Sequence, residues 1–215
     1  MVETIRLVDL THPISPDMPV YPGTDPPVLL PGCSLEQAGF LEKKITFYSH
    51  TGTHIDAPAH MLKDHNTLDR LGIDHFYGSA LLIKLDNFTG RTIEVPHLAP
   101  YREQIAKVEF LLLATGWSQY WGSEKYFLHY PVLSLEAAIW INGFSLKGLG
   151  LDTISADTLD SKEYPVHKTL LQENTIIIEN LANLAALPGN QFTFSCFPLS
   201  FEDADGSPVR AVASF

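Results

Sequence analysis

The sequence predicts one β-rich, mixed α/β domain spanning residues 1–215, and three observations predict it. The chain has 215 residues, of which 45% are hydrophobic and 18% charged. A domain of that size buries about 70–75% of its unfolded surface and needs no staples. Five short runs rich in β-branched or aromatic residues read as strands, and three helical candidates lie between them, which is the alternation of a mixed α/β fold.

Taken in order, the chain opens with a short apolar piece, Ile5 to Leu10, followed by seven prolines between Pro13 and Pro31. Proline fixes φ and removes an amide donor, so this stretch is expected to be an extended, irregular arm rather than a helix or a central strand. It reads either as a plain surface loop or as an arm covering a pocket or a partner subunit. The strand candidates are Ile45 to Ser49, Ala80 to Leu85, Phe110 to Ala114, Thr175 to Glu179 and Phe192 to Phe197. Of the helices, Pro100 to Lys107 is amphipathic. Ser134 to Ile141 has an N-cap in Ser134 and a stop in Asn142-Gly143, and His167 to Gln172 forms the third.

Composition excludes several classes. Lys and Arg number 14 against 25 Asp and Glu, a net charge of −11. Basic pairs such as Lys43-Lys44 stand alone, so a nucleic-acid partner is not expected. Cys33 and Cys196 belong to no paired motif, which argues against a disulfide framework or thiolate metal site and fits a reducing cytoplasm. The opening Met-Val-Glu-Thr-Ile-Arg-Leu is not organised like a signal peptide, and no apolar run approaches the roughly 20 residues that span a bilayer. The expectation is a cytoplasmic protein with a small-molecule substrate and no membrane partner.

The informative segment runs from His50 to His60 and holds three histidines and an aspartate within eleven residues. Thr51, Gly52, Thr53 and Ile55 are weak helix formers and Pro58 interrupts a helix, so extended chain is expected. In a strand, His54 and Asp56 share one face about 6.6 Å apart, close enough for one ion. His50 lies about 13 Å from His54 unless the chain bends, and Gly52 is where a bend is tolerated. Two imidazoles and a carboxylate suit Zn²⁺, or Mn²⁺ as the alternative, and leave a position open for water whose pKa the ion can lower to about 7. His60 is surplus to that set. It reads as a further ligand, a partner hydrogen-bonded behind a ligand, or, preferred, a general acid/base that moves the proton a metal-hydroxide mechanism must deliver. His12, His65, His75, His97 and His129 read as ordinary surface or core residues.

The stretch His50-Thr51-Gly52-Thr53-His54-Ile55-Asp56-Ala57-Pro58-Ala59-His60 resembles the HxGTHxDxPxH signature of the cyclase-like metal-dependent hydrolases, the family containing bacterial kynurenine formamidase and isatin hydrolase. The resemblance extends to Asp9 through Ile14, Met18 through Gly23, Thr115-Gly116-Trp117, Gly150 through Thr153, and Gly206 through Ala211. It implies a swivelling β/β/α fold, a homodimer or homotetramer, and a second ion held by His167 and Glu179 with Asp56 bridging the two. By residue type alone, His167 and Glu179 carry no signal.

The resemblance further implies an arylformamidase: hydrolysis of N-formylkynurenine to kynurenine and formate, in tryptophan catabolism, by metal-bound hydroxide with His60 as general acid/base. The alternative substrate is a cyclic amide or imide such as isatin. A non-catalytic metal-dependent binding module is the reading from another class, and His60 argues against it, since such a module has no use for a proton shuttle. Where the formamidases commonly place Trp before Pro-Gly, this chain has Tyr21, the candidate substrate-binding residue. Tyr21, Phe47, Tyr48, Trp117 and Trp121 read either as an aromatic pocket wall or as core.

Overall fold

The computed structural model describes residues 5–85, 88 and 90–215. Among them the strands are β1 (Leu7–Asp9), β2 (Val28–Cys33), β3 (Glu42–Thr46), β4 (His54–Asp56), β5 (Tyr77–Lys84), β6 (Thr92–Ile93), β7 (Phe110–Ala114), β8 (Val132–Leu133), β9 (Gly148–Leu151), β10 (Ile176–Glu179), β11 (Gln191–Ser195), β12 (Gly206–Pro208) and β13 (Val212–Ser214). The helices are α1 (Leu35–Ala38), α2 (Val95–Leu98), α3 (Arg102–Ile105), α4 (Leu135–Asn142) and α5 (Pro165–Leu171). Nine strands form one sheet in the order β1-β13-β11-β5-β7-β9-β10-β4-β12. Its centre, β5-β7-β9-β10, is parallel, and the flanking pairs are antiparallel.

The period of two along a strand decides what each face buries. Leu81, Ile83, Leu111, Leu113, Leu149 and Ile177 meet Ala137 and Ile141 of α4 and Val166 and Leu170 of α5. Their neighbours Ala80, Leu82, Phe110, Leu112, Ile176 and Ile178 face the other way, onto Leu10, Ile55, Phe194 and Ala213. Strands buried on both faces read as continuous apolar runs, and β7 accordingly matches the expected Phe110–Ala114 residue for residue. Ile55 and Ala213 come from near opposite ends of the strand order, so the sheet curls around this second cluster.

Local chemistry sets the other boundaries. Ser134 caps α4, its Oγ accepting from the Ala137 amide at 3.0 Å. Gly143 ends that helix at φ −68°, so the expected stop works without a left-handed cap. The segment expected as one helix over Pro100 to Lys107 is a 3₁₀ turn, Ala99–Tyr101, leading into α3. Helix α5 starts two residues ahead of His167, with Pro165 in its first turn.

Two expectations shift. The strand expected at Ile45 to Ser49 lies instead at Glu42–Thr46, sharing only Ile45 and Thr46 with it, and this β3 pairs with β2 in a separate, exposed two-stranded sheet. The proline-rich arm is irregular only to Pro27, because Pro31 sits inside β2 at a register shift, the kind of place where a missing amide donor is tolerated. Of the two readings of the arm, pocket cover is what the fold supplies: Met18, Pro19, Val20, Tyr21, Gly23 and Thr24 wall a cavity of about 690 Å³. No helix among the described residues is long and apolar enough to cross a membrane.

Candidate metal centre

Sheet register builds most of the site. β4 lies between β10 and β12, with Glu179 opposite His54, and Ile177 and Gly206 opposite Asp56. Residues 54 and 56 share a face by strand periodicity, and a directly paired residue shares it too, so His54, Asp56 and Glu179 project together on the helix-covered side. His50 joins them because Gly52 turns the chain at φ +66°, the bend its spacing requires. The His50 ring then lies flat against Gly206, where any Cβ would collide with it. His167 arrives from α5.

The five side chains meet closely. Asp56 turns one oxygen to each half of the site: Oδ1 lies 2.7 Å from His50 Nδ1 and 3.2 Å from His54 Nε2, while Oδ2 lies 3.6 Å from His167 Nε2. Glu179 stands 3.2 Å from His167 Nε2 and 3.6 Å from His54 Nε2. Donor atoms around a zinc-sized ion, each about 2.1 Å away, stand about 3.3 Å from one another, the range seen here. His50-His54-Asp56 and Asp56-His167-Glu179 each bring three ligand atoms within 4.8 Å of one another. A third group, His50-His60-Asp205, does the same at the cavity edge.

Outer partners fix the tautomers. His54 Nδ1 donates to the Gly52 carbonyl at 2.8 Å, which turns Nε2 toward the centre. His167 Nδ1 donates to Asp157 Oδ2 at 2.6 Å, with the same result. His50 Nε2 faces Asp205 at 3.1 Å, leaving Nδ1 for the centre. A ligating histidine held through its other nitrogen is the usual arrangement of a metal site. Asn180 adds a brace. Its Nδ2 donates to the Gly52 carbonyl at 2.8 Å and its Oδ1 accepts from the Tyr126 hydroxyl at 2.7 Å.

The charge of the site calls for a cation. Asp56 and Glu179 are 1% and 5% exposed, and no Lys or Arg among the described residues pairs with either. Buried carboxylates require compensating positive charge. In the metal-free protein, protons supply it. Burial pulls the His50 and His167 imidazoles down, but Asp56 and Asp205 around the first, and Asp157 and Glu179 around the second, outweigh it and push each up to about 10. Burial likewise opposes ionisation of Asp56, yet His50 and His54 hold it well below the usual carboxylate range. Burial and the Asp56 charge raise Glu179. Imidazole and carboxylate donors without thiolate fit a hard-to-borderline divalent cation taking the place of those protons.

The other candidates divide. His60 lies on the rim, its ring 3.9 Å from that of His50 and its Nδ1 3.8 Å from Asp205. Tyr21 and Tyr48 line the cavity. Trp117 and Trp121 pack instead in a satellite cluster around Tyr126 and Tyr130, which Tyr21 also touches, and Trp121 stacks on His12 at 3.9 Å. Phe47 is half-buried and outside the cavity wall. Asp157 and Asp205 are the site residues that sequence reasoning missed.

A kynurenine formamidase from Bacillus cytotoxicus is 32% identical over 206 residues, 95% of each chain. Among solved structures, isatin hydrolase A from Ralstonia solanacearum is 26% identical with a TM-score of 0.86, covering 98% of this chain and 92% of its own. A potential metal-dependent hydrolase with cyclase activity is 26% identical with a TM-score of 0.82, covering 98% of both. The Cyclase family model matches residues 8–158, a span that carries the arm, the bend at Gly52 and three of the five converging candidate ligands, and the chain belongs to that family.

Proposed function

We propose that this chain is a metal-dependent hydrolase of amide bonds acting on an aryl formamide, N-formylkynurenine first among them, and releasing formate. The observation that carries the reading is the meeting of His50, His54, Asp56, His167 and Glu179 at the floor of a 690 Å³ cavity with His60 on its rim. The kynurenine formamidase likeness over 95% of the chain supports the choice of substrate. His50, His54 and Asp56 would hold one ion and His167 and Glu179, with Asp56 shared, a second. Zn²⁺ is the expected metal and Mn²⁺ the alternative. When bound, such ions supply Lewis acidity at a carbonyl oxygen and lower the pKa of water toward neutrality.

The protein's own groups do the rest. Gly52 and Asp157 hold Nδ1 of His54 and His167, so both rings already turn Nε2 to the centre and need not flip when a cation takes the place of a proton. The Met18–Thr24 arm forms one wall of the cavity. Burial holds the His60 imidazole below its ordinary value, so it is unprotonated at neutral pH. It can then take the proton of the attacking water and pass it to the departing nitrogen, so that the C–O bond forms as the C–N bond breaks and the amine leaves neutral. Asp205, close to both His50 and His60, orients the pair.

Isatin, a cyclic amide, is the second reading. It is favoured by the 0.86 TM-score to isatin hydrolase A and by Tyr21 in place of the formamidases' Trp. We further propose a homodimer or homotetramer. The two free thiols, Cys33 and Cys196, support a reducing, cytoplasmic setting. The test is a panel of N-formylkynurenine, isatin, a hydantoin and formanilide, with His60→Ala beside the parent. Formate release from N-formylkynurenine is expected, falling about 100-fold or more in the variant at unchanged metal content. Protein that purifies without a divalent ion and hydrolyses none of the panel would refute the reading.

A further inference from the structure

The cavity wall carries one feature that the hydrolytic chemistry leaves unused. Asp56, Glu179 and Asp205 line it, and against them, among the described residues, Lys168 is the one lysine or arginine in the wall. Lys168 follows His167 on α5, is half-buried, and makes no ion pair within 4.0 Å among the described residues. The nearby carboxylates are already engaged by the histidines of the centre. Its charge is therefore left for something that enters the cavity.

Two phenols complete the setting. Tyr164, also in the wall, sits at φ 48°, ψ 54° immediately before Pro165, a left-handed conformation that costs a non-glycine residue about 1–3 kcal/mol. It provides no side-chain cap for α5. What the conformation does is hold the ring edge-on to His167 at 6.2 Å. Tyr21, on the arm, brings a second phenol to the same cavity wall. An ammonium that shares a cavity wall with two phenol O–H donors matches a carboxylate, which accepts several hydrogen bonds at once.

We infer that Lys168, with Tyr21 and Tyr164, forms a subsite for a carboxylate carried by the substrate, so that the enzyme selects anionic aryl amides over neutral ones. The inference rests on the amide-hydrolase reading and sharpens it, since the subsite would separate N-formylkynurenine from formanilide, which shares the scissile bond and lacks the carboxylate.

The test compares zinc-loaded parent, Lys168→Met and Lys168→Arg on these two substrates, and measures kynurenine binding by calorimetry. In Lys168→Met, KM for N-formylkynurenine should rise about 10-fold, the worth of one charge-assisted contact at a half-exposed site, with kcat unchanged. Formanilide turnover should not move, the arginine variant should recover most of the loss, and the difference should shrink in high salt. An equal loss on both substrates, or none on N-formylkynurenine, would overturn the subsite while leaving amide hydrolysis standing. Should the parent hydrolyse neither, the functional reading fails by itself and kynurenine affinity decides. A loss of about 10-fold in Lys168→Met upholds the carboxylate subsite, and equal affinity for parent and variant overturns it.

Discussion

Replacing Asp157 with Asn tests how the second half of the centre is built. Asp157 is 4% exposed and both its oxygens accept: Oδ1 from the Val166 amide at 3.1 Å, Oδ2 from the His167 amide at 3.0 Å and from His167 Nδ1 at 2.6 Å. Asn is nearly isosteric but brings an NH₂ group, which must face one of these sets of donors. If it faces Nδ1, the imidazole has to shift its proton to Nε2, the nitrogen aimed at Glu179 and Asp56, and the lone pair a cation needs is gone. If it faces the Val166 amide, a buried donor loses its acceptor and the His167 bond loses its charge. Removing an outer partner of this kind weakens metal affinity about 10- to 100-fold, or roughly 1.4–2.8 kcal/mol. Titration with Zn²⁺ against a chromophoric chelator should show two binding steps in the parent, of which only one weakens in Asp157→Asn. Unchanged isotherms, or equal weakening of both steps, would refute the assignment of Asp157 to His167 alone.

Other outcomes follow from the same geometry. Gly206→Ala should displace the His50 ring, lowering bound metal below the parent's stoichiometry by mass spectrometry, whereas Gly122→Ala, with open space around it, should not. Asp152→Ala should destabilise the fold by about 1–3 kcal/mol in urea, because it strips acceptors from the part-buried amides of Thr115, Gly116 and Trp117, while the folded fraction keeps its metal. Chelator-treated protein should lose stability with rising pH. His50 and His167 are raised from 6.5 to about 10, so their contribution is complete below about pH 6.5 and disappears as pH climbs through 10. Metal-loaded protein has no such loss, and parallel melting curves for the two forms between pH 6.5 and 10 would contradict the proton-for-metal exchange.

What the sequence made legible was whatever a local pattern can carry. β7, buried on both faces, announces itself as an apolar run, and the His54/Asp56 pair is readable because strand periodicity places both on one face. β9 was missed. Its Gly-Leu-Gly-Leu looks like a loop, yet a Cβ at Gly148 would press on Phe110, and one at Gly150 on Leu181 and Leu112, so the glycines answer to neighbours far away in sequence. β12 and β13 are three residues each and exist because β4 and β11 supply partners. The same holds at the site. His167 and Glu179 came from family resemblance, and Asp157 and Asp205 from neither source, since their roles depend on which imidazole nitrogen the fold turns toward them. The landmarks Thr115-Gly116-Trp117 and Asp152 look independent in sequence but form one structure, in which the carboxylate gathers the three successive amides.

The division between rigid and adaptable parts of the cavity bears on how one scaffold could serve different amides. His54, Asp56 and Glu179 stand on strands paired on both sides, and their spacing can change only if the register of β4 changes, which would turn every side chain on it to the opposite face. The histidines are locked again through their far nitrogens. A substitution that alters chemistry there must break a hydrogen bond, a ladder or a close packing contact, at a cost of several kcal/mol. Tyr21 and Lys168 answer to weaker constraints. Tyr21 lies on the irregular arm outside any strand ladder, and Lys168 lines the cavity from α5 without an ion-pair partner among the described residues. These positions can change without disturbing the ligands, so substrate choice in this fold should vary through the arm and the exposed side of α5 while the metal-binding floor stays fixed. A chimera carrying the Met18–Thr24 arm of an isatin hydrolase tests this directly. It should keep its metal content and shift its preference between N-formylkynurenine and isatin, and a chimera that binds metal normally but keeps the parent's preference would show that selection is made elsewhere.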